Sequence, residues 1–310
     1  MADKSPIEWT DATWNPIVGC SILSPGCTNC YAMRMAARIE AMGGAPHYAG
    51  TTKKVNGNAV WTGKLALAPG RILTQPLRWK EPRRIFVNSM GDLFHEDVPD
   101  AWIDRVFAVM ARAPHHTFQV LTKRARRMRE YCDNRGGGVS RRVSKVAPST
   151  PAAIRFVSAE PLLGPIDFTS ICTGHYFIDA LRGFKYHDAP EGVHSATEPC
   201  AKLDQIIVGG ESGHQARPMH PRWPRWIRDH CASAGTAFFF KQWGAWAPST
   251  PEKAAGNPRS GWRCLAAHPH VPHRAELYPE AGAEFIEHLG KKAAGRLLDG
   301  IEHDGMPEAR

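Results

Sequence analysis

No apolar run in the 310-residue sequence reaches the roughly 18 residues that a membrane span needs, so no membrane association is expected. The first residues, MADKSPIEWTDATWNP, lack the apolar core of a signal peptide, so a cytoplasmic protein is expected. Internal repeats and long low-complexity tracts are also absent, which excludes solenoid and fibrous architectures. What remains is an ordinary globular composition, 43% hydrophobic and 22% charged. The length suits about two domains or a single α/β barrel.

A fourth thiol is missing where three stand together. Five of the eight cysteines, Cys132, Cys172, Cys200, Cys231 and Cys264, are scattered and read as small apolar residues. The other three lie in GCSILSPGCTNCYA as Cys20, Cys27 and Cys30, with six and then two residues between them. A disulfide framework belongs to short secreted chains, whereas a tight cluster in a reducing compartment points to a metal. Gly19 and Gly26 give the backbone freedom just before two of the thiols. Structural zinc is closed and tetrahedral and needs a fourth Cys or His. The nearest histidine in sequence is His47, seventeen positions past Cys30 and beyond an expected helix. An iron–sulfur cluster is held by thiolates too, and with three of them one iron stays open to an outside ligand. Both chemistries, and inert thiols, remain open on the residues alone.

Five segments share one pattern, a short apolar run ending abruptly in polar or small residues: RIFVNSMGD (84–92), FQVLTK (118–123), IRFVSAEP (154–161), QIIVGGESG (205–213) and AFFFKQWG (237–244). Such runs predict strands buried on both faces. Helical patterns stand between several of them, in DAWIDRVFAVMARAP, RARRMREYC and PRWPRWIRDHCASAG, the last closing on Gly235 as a C-cap. A further helix, YAMRMAARIEAMGG, runs out of the cysteine cluster. Strand–helix repetition predicts a parallel sheet with crossover helices, closed partly or completely into a TIM-related α/β barrel. Asn88, Asp92, Lys123, Ser158, Glu160, Glu211, Ser212, Lys241 and Gln242 fall at or beyond the C-terminal ends of the runs, where parallel α/β folds place their sites. Residues 171–204 read as an insertion in a barrel-like domain over 1–246, and 247–310 as an irregular extension packed on it.

The net charge is +9 and unevenly spread. Residues 123–145 hold nine basic side chains against Glu130 and Asp133, a surplus of seven. That run reads equally as a solvated helix face or as a nucleic-acid contact. Other polar groups have plainer readings. His95, Glu96 and Asp97 suit an acid–base set or a loop capping the next helix. Trp243 and Trp246 suit rim packing or base stacking, and His268, His270 and His273 a solvated loop.

IEWTDATWNPIVGCSILSPGCTNCYA, QPLRWKEPRRIFVNSMGDLFHEDVP, LTKR, RFVSAEPLLGPID, VGGESGHQARPMHP, FFFKQWG and KKAAGRLLDG together resemble a phage-associated family of proteins of unknown function whose three-cysteine motif is likened to that of radical SAM enzymes. The resemblance implies a partial barrel with TWNPIVG as first strand, and a [4Fe–4S] cluster on Cys20, Cys27 and Cys30. S-adenosylmethionine would chelate the open iron and yield a 5′-deoxyadenosyl radical acting on an unidentified substrate. It implies cofactor contacts from Asn88, Ser89 and Asp92, with Ser158 and Glu211 in the same role. Glu160 is implied at the ribose or substrate, and Lys123 and Lys241 at a carboxylate or phosphate, these three as candidate catalytic groups. A nucleic-acid substrate and a partner protein encoded nearby are the implied associations. The rival expectation is a non-catalytic zinc protein that binds nucleic acid or a partner. The chain departs from the common radical SAM motif by its longer first gap and by Asn29 before the third cysteine. It departs from the phage family by lacking a strand after LTKR, of which Gly138-Val139-Ser140 reads as a remnant.

Overall fold

The computed structural model describes residue 5 and residues 7–134, 152–174, 176–187, 195–256, 261–268, 270–271 and 273–308. The chain divides into two compact units, Met1–Gly138 and Val139–Arg310.

In chain order the first unit contains β1 (Ala12–Trp14), β2 (Ile17–Val18), α1 (Tyr31–Met42), β3 (Thr52–Val55), β4 (Asn58–Trp61), β5 (Ala66–Leu67), α2 (Gly70–Leu73), β6 (Arg84–Val87), α3 (Asp100–Arg112), β7 (Thr117–Val120) and α4 (Ala125–Asn134). β1, β6 and β7 form a parallel sheet in that order, with Trp14 opposite Val87 and Val87 opposite Val120. Ile85 and Val87 are fully buried while Arg84 and Phe86 are half-buried, so β6 alternates rather than burying both faces. Its inner residues pack with Trp14, Leu93, Phe94, Ile103 and Val106 into one core. TWNPIVG does not continue as one strand. Pro16 has no N–H for the ladder, and beyond it β2 turns to pair antiparallel with β5.

The second unit contains β8 (Phe156–Ala159), β9 (Ile171–Cys172), β10 (Phe177–Asp179), β11 (Phe184–His187), β12 (Ser195–Pro199), β13 (Gln205–Gly209), α5 (Arg222–Ala234), β14 (Ala237–Gln242), β15 (Trp246–Pro248), α6 (Pro251–Gly256), β16 (Trp262–Leu265), β17 (Glu284–His288) and α7 (Lys291–Ala294). β13 lies between β14 and β8 in a parallel sheet, and all five of its residues are buried. β9 to β12 form an antiparallel sheet that interrupts the parallel one in sequence, and β15, β17 and β16 form another. Helix α5 ends on Gly235 in the left-handed conformation, whose N–H bonds back to Ala232 and Cys231.

The five predicted strand runs and the four predicted helices are all present, and the fold is mixed α/β. The barrel is not: among the described residues no barrel is detected. The parallel strands form two separate three-stranded sheets, in which β7 has only β6 as its neighbour and β8 only β13. A barrel needs an unbroken ladder around its circumference. Gly138-Val139-Ser140, the expected remnant of a further strand, lies outside the described residues. Among the described residues no helix is long and apolar enough to cross a membrane.

Candidate metal centre

The cysteine loop leaves β2 and enters α1 within twelve residues. Gly19 bridges Gly91 in parallel register, and a Cβ on Gly91 would stand 2.8 Å from the Gly19 carbonyl oxygen. Only glycine lets the two chains pass at this separation. Cys27 closes a 3-10 turn that begins at Pro25, and its N–H bonds to Ser24 O at 2.9 Å. The Cys30 N–H bonds to Cys27 O, and Cys30 caps α1. All three cysteines are free and half-buried. Cys20 and Cys30 lie against a core of Val18, Ala32, Met33, Ala36, Tyr48, Trp61 and Met90.

Two consecutive cations from the loop after β7 face two of these sulfurs. Lys123 Nζ stands 3.7 Å from Cys27 Sγ, and Arg124 Nη1 stands 3.7 Å from Cys20 Sγ. The two thiols differ in consequence. Burial pushes Cys20 up to about 11, with Arg124 working against the rise and Asp92 adding to it. Burial also raises Cys27, but the hydrogen bonds from Leu23 and Ser24 and the Lys123 charge outweigh it and bring the thiol below its ordinary value.

Arg124 is 5% exposed and fully engaged. Its Nε donates to Glu96 at 2.6 Å, Nη1 to Asp92 at 3.1 Å, and Nη2 to Ser21 Oγ at 2.9 Å. Burial opposes its charge, while Glu96, Cys20 and Asp92 more than compensate and raise its pKa. Ser21 Oγ is also 2.7 Å from His95 Nε2. His95 Nδ1 accepts the Asp97 N–H, so Nε2 carries the proton and donates to Ser21. Burial, then Arg124, keeps this imidazole below its usual pKa.

The loop after β6 supplies the other wall. Asn88 has a φ of 59°, a left-handed conformation that asparagine tolerates better than most residues. Its Oδ1 accepts the Ile17 N–H, while its Nδ2 is buried without a partner among the described residues. Ser89 Oγ donates to Asn15 Oδ1, and the Tyr31 hydroxyl donates to Ser89 O at 2.8 Å. Asp92 accepts from Thr122 Oγ1, the Phe94 and Lys123 N–H groups and Arg124. Its carboxylate therefore ties the β6 and β7 loops together. The structure brings Cys20, Cys27, Cys30, Asn88, Ser89, Asp92 and Lys123 into one region of the first unit.

The donor chemistry fits a metal group built on thiolates: three free thiols on one loop, two of them beside cations that favour the deprotonated form. Among the described residues, however, no three His, Cys, Asp or Glu side chains are gathered as one metal ion requires. Around zinc the sulfurs sit about 2.3 Å from the ion, so all must converge on a single point. A polynuclear cluster spreads its thiolates over separate irons and does not require that single point.

The remaining site residues lie in the second unit, at the carboxyl ends of its parallel strands. Glu160 accepts from Ser158 Oγ at 3.0 Å and from Lys241 Nζ at 3.1 Å. A Cβ on Gly209 would collide with the Glu160 carboxylate, so the glycine makes room for it. Glu211 is held separately, by a bidentate pair with Arg217 at 2.9 and 2.7 Å. Gln242 is buried, and its Oε1 has no partner among the described residues. Trp243 and Trp246 donate to Leu297 O and Ala216 O and are buried, which is packing rather than a stacking platform. His273 accepts the Ala266 N–H.

The family model described as "Protein of unknown function (DUF5131)" matches residues 4–307. The chain belongs to that family. No curated protein and no solved structure matches it.

Sequence reasoning did not place Arg124, Ser21, Asn15 or Tyr31 in the site of this DUF5131 protein. The only signal for Arg124 was its place in LTKR, and the basic run around it concealed its role. In the described part of that run Arg126 pairs with Glu130 at 2.8 Å and Arg127 with Asp100. Arg124 faces inward and Lys123 faces Cys27. Residues 135–145 of the run lie outside the described residues.

Proposed function

We propose that this DUF5131 protein is an iron–sulfur protein of radical SAM type, with Cys20, Cys27 and Cys30 holding a [4Fe–4S] cluster. The observation that carries the reading is a loop of three free thiols, two of which face consecutive cations from the loop after β7. When bound, such a cluster supplies the electron that cleaves S-adenosylmethionine to a 5′-deoxyadenosyl radical. The chain's own residues have distinct tasks. Lys123 helps hold Cys27 toward its thiolate form, and Arg124 partly offsets the burial that keeps Cys20 protonated. Asp92 fixes Arg124, and with it the distance between the β6 and β7 loops. Asn88 Nδ2, buried and unpartnered, offers a donor to the cofactor's polar end. In the second unit, Glu160 with Ser158 and Lys241, and Glu211 with Arg217, are polar groups proposed to hold a polar ligand there. The phage setting, cytoplasmic location and a nucleic-acid-related substrate belong to this same proposal.

Anaerobic purification with iron, sulfide and zinc quantified tests it. We expect a brown protein with about four iron and four sulfide per chain, both lost in Cys27→Ala. Tightly held zinc without sulfide overturns the reading and leaves a structural clip in a non-catalytic binding protein.

A further inference from the structure

The described part of the basic run that stands out in the sequence is largely engaged within the first unit. Lys123 faces Cys27, Arg124 is buried on Asp92 and Glu96, and Arg126 and Arg127 pair with Glu130 and Asp100. A second set of cations, spread more thinly in sequence, lies between α2 and the start of β6. Arg71 belongs to α2, Arg78 closes the 3-10 turn Gln75–Arg78, and Lys80 and Arg83 follow it. From residue 41 to residue 91 the only acid is Glu81.

Contacts bring these groups onto one surface. Arg78 donates to Thr74 Oγ1 at 3.2 Å and to Arg71 O, which fixes its guanidinium beside α2. The Arg83 guanidinium lies 4.9 Å from the centre of the Trp79 ring. The turn packs on α3, and two histidines just past that helix hold it. His115 Nε2 donates to Trp79 O at 2.9 Å, and His116 Nε2 to Pro76 O at 3.1 Å. The C-terminal end of α3, with Arg112 as its last residue, therefore stands beside the turn. Burial first holds His116 below its ordinary pKa, against the Pro76 hydrogen bond; the charges acting on it, His115 and Arg83, are both positive. Asp11, which also feels Arg83, is taken by Arg84 in a two-point contact. Arg71, Arg78, Lys80 and Arg112 are exposed and pair with no carboxylate among the described residues.

Protein interfaces have an apolar core, and membrane-bound surfaces insert apolar side chains. Here Leu77, 37% exposed, is the only large apolar side chain exposed among the described residues from 56 to 134. Arginine forks match phosphate oxygens, and cations spread over a helix, a turn and a loop suit a polyanion better than one small ion. We infer that Arg71, Arg78, Lys80, Arg83 and Arg112 form a surface that binds the phosphate backbone of a nucleic acid. The inference gives the nucleic-acid-related substrate of the functional reading a place to dock, and it holds whichever metal the thiols take. Arg83 O accepts the N–H of Thr117, which opens β7, so the surface adjoins the amino end of that sheet. Asp92 and Lys123, beside the thiols, follow the carboxyl ends of β6 and β7. The polymer is gripped apart from the thiols, by contacts that supply affinity without reading bases.

The test follows fluorescence anisotropy of a labelled single strand of about 20 nucleotides, and of the matching duplex, against the full-length protein from about 50 to about 200 mM salt. The variants are R78E/K80E, the neutral pair R78Q/K80Q, and R126E/R129E in the basic run of α4. We expect binding that weakens steeply as salt rises. R78E/K80E should lose about tenfold or more in affinity and lower the salt slope by about two phosphate contacts. R78Q/K80Q should lose less in the same direction, which separates lost charge from a turn disturbed by charge reversal. R126E/R129E should stay within about twofold of wild type, and bound metal should not change in any variant. Absence of salt-dependent binding, or equal binding by wild type and both patch variants, overturns the inference. A loss confined to R126E/R129E overturns it in favour of α4. Binding of phosphatidylserine vesicles in place of both nucleic acids, abolished by R78E/K80E, overturns it in favour of a membrane contact. Zinc without sulfide in the same preparations sinks the functional reading and leaves this surface standing.

Discussion

Arg124 illustrates how much one buried side chain decides at the residue scale. Its guanidinium joins Asp92, Glu96, Ser21 and Cys20. Replacing it by Met keeps the side-chain volume but leaves the buried Asp92 carboxylate without its cation, which costs about 3–5 kcal/mol. Urea unfolding should show that loss, and Arg124→Lys should recover part of it, because the charge returns without the fork. Lys123 differs. It is exposed, and its ammonium bonds to Cys27 Sγ, so Lys123→Ala should leave the unfolding free energy within about 0.5 kcal/mol of wild type. The same variant should raise the Cys27 thiol pKa in the metal-free protein, read from the pH dependence of its alkylation rate. An unchanged alkylation profile would mean that the ammonium does not set the thiolate population.

At the scale of elements, the close crossing of the Gly19 and Gly91 segments holds the cysteine loop in place. Gly91→Ala puts a methyl group 2.8 Å from Gly19 O and 3.2 Å from Ile17 O, both backbone atoms. Neither can step aside as a side-chain tip would, so the cost is about 1–3 kcal/mol and falls on the loop that carries Cys20. Retained far-UV circular dichroism with reduced iron uptake is the expected outcome. Full iron uptake would show that the crossing is not needed to set the thiols. The strands and helices themselves were legible in sequence, because runs such as QIIVG and AFFFKQ have no competing period and α3 and α5 carry clear amphipathic patterns. The resemblance implies TWNPIVG as one strand, but the missing N–H of Pro16 ends the ladder after Trp14.

At the scale of the whole molecule, stability should depend on pH through buried neutral histidines in both units. His220 Nε2 donates to Gly282 O at 2.8 Å and Nδ1 accepts the Arg222 N–H at 3.0 Å. A proton on Nδ1 would face that donor. Burial first, and the neighbouring Arg222 and Arg225 as well, hold this pKa below 6.5, although Glu284 and Gly282 oppose the shift. Burial lowers His116 likewise, and its Nδ1 has no partner among the described residues. Groups with depressed folded pKa values take up protons more readily when unfolded, so their contribution is complete above about pH 6.5. It declines as pH falls below that value. A denaturation midpoint that is flat from pH 7 to 8 and drops toward pH 5 is expected, with a shallower drop in His220→Gln. A midpoint unchanged down to pH 5 would contradict the assignment.

The sequence by itself determined the elements, because hydrophobic period and glycine and proline placement act over a few residues. It also determined the thiol triad and its position before α1, since spacing within one loop is a local property. Only the tertiary structure decided how strands group into sheets, because pairing depends on partners far apart in the chain. It split the expected barrel strands into two separate parallel sheets. It likewise decided which cation of the basic run turns inward: charge is visible in a sequence, but burial is not. Asp92 of the β6 loop and Cys20 of the β2 loop, not the local composition, make Arg124 a buried anchor, whereas Arg126 and Arg127 pair with carboxylates of their own.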